Sequence, residues 1–100
     1  MDNNASSGID ADIARGSATI ANRLGLHARA AAKFVKLAAN YRAEIVVSHK
    51  GQEADGRSIM GLMMLAAGIG CVINLRATGQ ESWEAVAALT RLVNEKFGEE

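Results

Sequence analysis

The spacing of apolar positions switches between a period of two and a helical period along this chain, and each switch predicts an element. Ala18 and Ile20 alternate with Ser17, Thr19 and Ala21, which predicts a short half-buried strand that ends before Gly25. From Ala28 the period is helical. Ala31, Phe34, Val35 and Ala38 share one face, with Arg29, Lys33, Lys36 and Asn40 opposite. Ile45 to His49 is β-branched and strand-like, and Lys50-Gly51 turns it into a second strand, Gln52 to Asp55. After Gly56-Arg57, Ser58 is placed to cap a short helix running through Leu65.

Gly68-Ile69-Gly70 is a breaker. Beyond it Cys71, Ile73, Leu75 and Ala77 alternate with Val72, Asn74, Arg76 and Thr78, a strand of a sheet wetted on one side. A last helix from Ser82 puts Val86, Leu89, Val93 and Phe97 on its core face and Glu84, Ala88, Arg91 and Glu95 outside, with Gly98 as its stop. The order is strand, helix, strand, strand, helix, strand, helix. Such strands imply an α+β fold: an antiparallel sheet with its helices collected on the other face. The small, polar start containing Asp2, Asp10 and Asp12 reads as a flexible extension over residues 1–13, ahead of one domain over 14–98.

Composition narrows the function classes. One hundred residues suffice for one core, and the 49% hydrophobic and 22% charged content is that of a globular chain. Eleven basic residues balance eleven acidic ones, so net charge gives no reason to expect nucleic acid or an anionic membrane as partner. The apolar run over residues 59–73 is broken by glycines and is shorter than the roughly 20 residues a membrane span needs. A single cysteine, Cys71, excludes an internal disulfide, and its apolar surroundings predict a buried small hydrophobe. Without a visible signal peptide, the expected location is the cytoplasm.

Two places can carry chemistry. His27, in Gly25-Leu26-His27-Ala28-Arg29, falls where the strand pattern stops and a helix begins. A helix start offers unpaired N–H groups and a positive dipole end, which attract anions. That field, with Arg29 nearby, disfavours the imidazolium, so a neutral and nucleophilic His27 is expected. A phosphoryl group on the ring would meet N–H donors and a guanidinium. The residues alone leave open that His27 merely caps the helix. His49, at a strand end beside Lys50-Gly51, reads as a surface or edge histidine. Neither histidine has metal-ligand spacing, so no metal or other cofactor is expected, and no nucleophile-elbow pattern supports a hydrolase.

The second place is the segment from Gly56 to Leu65, apolar nearly all round. Some of Ile59, Met60 and Met63 should stay exposed as a docking patch, the alternative being plain core packing. Phosphorylation of Ser58 would place negative charge at that helix's start.

At these two motifs the sequence resembles the phosphocarrier HPr family of the phosphoenolpyruvate-dependent phosphotransferase system. Gly25-Leu26-His27-Ala28-Arg29 is similar to the family's active-site signature, and Arg57-Ser58-Ile59-Met60-Gly61-Leu62 to its regulatory-serine signature. The resemblance spans about residues 14–97 and implies the family's open-faced β-sandwich, four strands backed by three helices. It implies that His27 accepts a phosphoryl group on Nδ1 from Enzyme I and passes it to an EIIA-type protein. Arg29 would then stabilise that group, and Ser58 would be modified by an HPr serine kinase/phosphorylase. Ala28, Arg29, Lys33 and Lys36, with Ile59, Met60 and Met63, would form the docking surface. The family's usual proline is replaced by Ala30, which together with Ser-Ile-Met-Gly-Leu-Met-Met-Leu is similar to the nitrogen-related branch. On this reading the protein is a carrier rather than a turnover enzyme, and a monomer is expected. A different class of function is a binding module controlled by Ser58, with His27 incidental.

Overall fold

A computed structural model describes residues 13–99. Strands β1 (Ile13–Thr19), β2 (Glu44–His49), β3 (Gln52–Asp55) and β4 (Val72–Thr78) form one antiparallel sheet in the order β1-β4-β2-β3. Helices α1 (Ala28–Ala38), α2 (Ile59–Met64) and α3 (Ser82–Asn94) pack on one side of it. This is the expected α+β open-faced sandwich. Ile13, placed in the extension by the sequence reading, is the first residue of β1 and pairs with Thr78. The rest of that expected extension, residues 1–12, lies outside the described residues.

The period-two alternation decides which side of the sheet is dry. Gly16, Leu75, Val47 and Ala54 line up across all four strands on the helix side, while Ser17, Asn74, Ser48 and Glu53 line up on the open side. Gly16 has to be small, because a Cβ there would lie 2.8 Å from Val86 Cγ1 of α3. The core joins that dry row to Phe34 of α1, Leu62 of α2 and Leu89 and Val93 of α3. The β2–β3 turn has φ of 50° at Lys50 and 81° at Gly51, the left-handed pair of a type I′ hairpin, whose twist suits the strands it joins.

Three sequence expectations are corrected. His49 is buried, because it shares the parity of Ile45 and Val47 and so turns toward the helices, with Nδ1 3.3 Å from the Val72 carbonyl. Cys71 is only half-buried, packed at the margin of the core just before β4. The last helix does not carry Phe97 on its core face. It ends at Asn94, and Phe97 is buried from a separate 3-10 turn, Lys96–Gly98. No helix among the described residues is long and apolar enough to cross a membrane.

Candidate functional site

The loop between β1 and α1 is shaped by two residues. Buried Asn22 accepts a hydrogen bond at its carbonyl from the Gly25 N–H at 3.2 Å, while its side-chain Nδ2 donates to the Gly25 carbonyl at 2.9 Å. Gly25 takes φ +66°, and a Cβ there would sit 2.7 Å from the Ala67 carbonyl oxygen. The Leu26 N–H donates to that same oxygen at 2.9 Å. Glycine is therefore required twice over, by conformation and by space. The loop is tied to the segment that follows α2, and the next residue, His27, is delivered as the N-cap of α1.

His27 takes the extended conformation of an N-cap, and its carbonyl accepts the first helical hydrogen bond, from Ala31 N–H at 2.8 Å. Its Nδ1 accepts from the Arg29 N–H at 3.4 Å. Its Nε2 lies 2.8 Å from Oε2 of Glu99, near the far end of the chain. The other Glu99 oxygen, Oε1, accepts from Asn22 Nδ2 at 3.0 Å. Both atoms facing Asn22 Nδ2 are acceptors, so the amide must present its nitrogen, which leaves the buried Oδ1 without a partner among the described residues. The Asn22 hydrogen bond, then that of His27, holds the Glu99 carboxyl below its ordinary value of 4.5.

Glu99 reaches this position through an abrupt change of chain direction. Lys96 and Phe97 have φ of 61° and 55°, and Gly98 follows at 75°. Left-handed conformations at non-glycine residues cost about 1–3 kcal/mol each. The compensation is visible in the Phe97 ring, 1% exposed, and in the Lys33 ammonium, which donates to the Phe97 carbonyl at 2.7 Å. Lys33 thus leaves the outward stripe expected of it and turns to the C-terminal segment. Arg29, Lys36 and Ala28 remain exposed on α1.

Arg23, Leu24, His27, Ala28, Arg29 and Glu99 line an open depression of about 670 Å³. Among the described residues, the Arg23 and Arg29 guanidiniums have no hydrogen-bond or salt-bridge partner. The hollow thus offers an imidazole, two cations and a helix start to an anion. Nothing in the sequence pointed to Asn22 or Glu99, whose roles come from contacts 72 and 77 residues apart in the chain. Arg23 and Leu24 had a weak signal, being a basic and an apolar residue in the loop just ahead of His27.

The start of α2 is built differently. Ser58 Oγ accepts from the Gly61 N–H at 2.9 Å, and Asp55 Oδ1 accepts from the Arg57 N–H at 2.9 Å. The Arg57 guanidinium reaches the Ala43 carbonyl at 3.0 Å. Beyond this cap only Leu62 of α2 is buried. Ile59, Met60 and Met63 are exposed, as is Met64 at 75%, with Leu24 at 70% nearer His27. Met64 belongs with the apolar surface although it was not among the residues expected there. No group of three or more metal-ligating side chains occurs among the described residues.

Comparison with known proteins agrees with this arrangement. Residues 14–95 match the family model described as the PTS HPr component phosphorylation site. The chain is 49% identical over 81 residues to the phosphocarrier protein HPr of Cupriavidus necator, covering 81% of this chain and 91% of that protein. It is 44% identical over 81 residues to the phosphocarrier protein NPr of Shewanella violacea, covering 81% of this chain and 89% of that one. Its structure resembles that of HPr-C-His from Thermoanaerobacter tengcongensis with a TM-score of 0.83 and 40% identity, covering 87% of this chain and 98% of that one. With an anion-receptive histidine at the start of α1, an apolar surface on α2 and a match over nearly all of the described chain, this protein belongs to the HPr family, the phosphocarriers of the phosphotransferase system.

Proposed function

We propose that His27 is the phosphoryl carrier of this chain, accepting the group on Nδ1 from phospho-Enzyme I and donating it to an EIIA-type protein. The observation that carries the reading is the environment of Nδ1. This nitrogen receives only a long 3.4 Å contact from the Arg29 N–H, and it belongs to a ring that lines an open hollow shared with Arg23 and Arg29. A phosphoryl group arriving there displaces a weak contact and gains charge-assisted hydrogen bonds. Arg29 stabilises the transferred group. The exposed faces of α1 and α2, with Ala28, Lys36, Ile59, Met60 and Met63, receive the partner. Lys33 takes part less directly, because its ammonium is engaged with Phe97.

Ser58 adds regulation to this reading. A phosphate on its hydroxyl puts about −1.5 to −2 charge beside the apolar surface of α2, and this weakens docking of an acidic partner by like-charge repulsion. Such a carrier works as a monomer in the cytoplasm, as the substrate of its partners rather than as a turnover enzyme.

Incubation with phosphoenolpyruvate and Enzyme I, followed by intact-mass measurement before and after mild acid, tests the reading. The expected result is one acid-labile phosphoryl group, lost completely in a folded His27→Ala variant. Undiminished labelling of that variant would overturn it.

A further inference from the structure

We propose that Glu99 is a positioning residue for phosphoryl transfer: its carboxylate on Nε2 holds the His27 imidazole in the tautomer whose Nδ1 is nucleophilic and balances the ring's charge once phosphorylated. The proposal rests on the reading of His27 as the phosphoryl acceptor.

The geometry at both ring nitrogens points the same way. An ionised carboxylate can only accept, so the 2.8 Å contact requires the hydrogen to be on Nε2. At the other nitrogen the Arg29 N–H is the donor, so Nδ1 must present its lone pair. Each contact selects the same tautomer, as a second group does when it orients a working histidine.

The carboxylate is itself fixed. Asn22, fully buried, holds Oε1 at 3.0 Å while Oε2 faces His27, so the group cannot rotate away without losing a partner. The backbone delivering it makes three successive residues left-handed and anchors Phe97 in the core. A chance surface contact needs no such support. The Asn22 hydrogen bond, and after it that of His27, keeps Glu99 ionised to lower pH than an ordinary carboxyl, as the role requires.

The chemistry follows from the tautomer. The Nδ1 lone pair attacks phosphorus of a donor phosphohistidine; an N–P bond forms at His27 as the donor's N–P bond breaks, and that electron pair returns to the donor imidazole. Nε2 keeps its hydrogen throughout, so His27 needs no proton transfer. Its ring goes from neutral to cationic, and that charge develops against the waiting carboxylate, an arrangement that favours the transition state without reorganisation. Donation onward reverses the same steps.

The Glu99→Gln variant tests this in the intact chain, because it keeps the length of the side chain while removing the charge and one of the two acceptors that Asn22 Nδ2 and His27 Nε2–H share. Expected is a roughly tenfold or greater fall in the rate of His27 phosphorylation by phosphoenolpyruvate and Enzyme I, in a variant that still unfolds cooperatively in urea with a midpoint only modestly below the wild type at neutral pH. In the unphosphorylated protein, the ¹⁵N shifts of the His27 ring should move from the Nε2–H tautomer toward a mixture. A purely structural contact would not produce both changes. Wild-type phosphorylation rate, or unmoved ring shifts, in Glu99→Gln would overturn the proposal. A wild-type protein that takes no phosphoryl group on His27 would instead overturn the proposed function. The tautomer measurement, which needs no Enzyme I, would then decide whether Glu99 positions the ring.

Discussion

The two helix starts are both capped by side chains, yet they are built on opposite plans. At α2 the parts are neighbours in the chain: Ser58 Oγ meets the N–H of Gly61, and Asp55 meets that of Arg57. At α1 the cap is His27, and its ring is held by Glu99, which is in turn held by Asn22 and delivered by Phe97 and Lys33. A local cap needs little beyond its own turn to form. A cap assembled from segments more than sixty positions apart exists only when the domain is folded. That coupling suits a group whose orientation matters for chemistry, since fold stability then enforces ring geometry.

This contrast can be broken most forcefully at Phe97. Replacing it with Ala removes a buried ring and should cost about 3–5 kcal/mol in urea unfolding. The same change should release Glu99 and alter the His27 ring shifts even where the variant is still folded. Unaltered shifts in folded Phe97→Ala would mean that the histidine is held without the C-terminal turn. Ser58→Ala is the complementary change. Loss of an N-cap costs about 1 kcal/mol, or about 4–8 °C in Tm for a domain of this size. It should leave both the His27 ring shifts and the rate of His27 phosphorylation as they are. A large effect there would show that the two starts are coupled and that the local plan at α2 is not self-contained.

The smallest effect is expected from acid. Glu99 is held below its ordinary 4.5, so its contacts add stability above that pH and lose it as the pH falls through the lowered value. Urea midpoints of the wild type and Glu99→Gln should therefore converge on acidification below about pH 4.5. Curves that remain parallel there would remove the electrostatic part of the contrast.

The difference between the starts also explains what could be read in advance. Ser58 was legible as a cap because the signal lies within a few residues: a serine after a turn, ahead of an apolar run. The hairpin at Lys50-Gly51 and the dry and wet faces of β4 were legible for the same reason. His27 and Arg29 were visible as a motif, but the residues that orient the ring were not. Lys33 lies on a helical face that reads as solvent-exposed, and only the path of residues 95–99 brings a carbonyl within its reach. His49 is a different kind of miss. Its parity with Ile45 and Val47 is present in the sequence, and this alternation outweighs the pull of the adjacent Lys50-Gly51 turn toward the surface.

The sequence carries two motifs that resemble those of a phosphocarrier family, and by itself it determined the elements, their order and their buried faces. These follow from periods of two and 3.6 and from capping rules that act within one turn of the chain. Tertiary structure alone decided that α3 stops short of Phe97, that Lys33 turns inward, and that Glu99 meets His27. Each depends on a backbone reversal through Lys96 and Phe97, whose left-handed conformations no local preference favours. The packing of the Phe97 ring into the completed core and the Lys33 ammonium on the Phe97 carbonyl stabilise that path, and the contacts it creates join residues more than sixty positions apart.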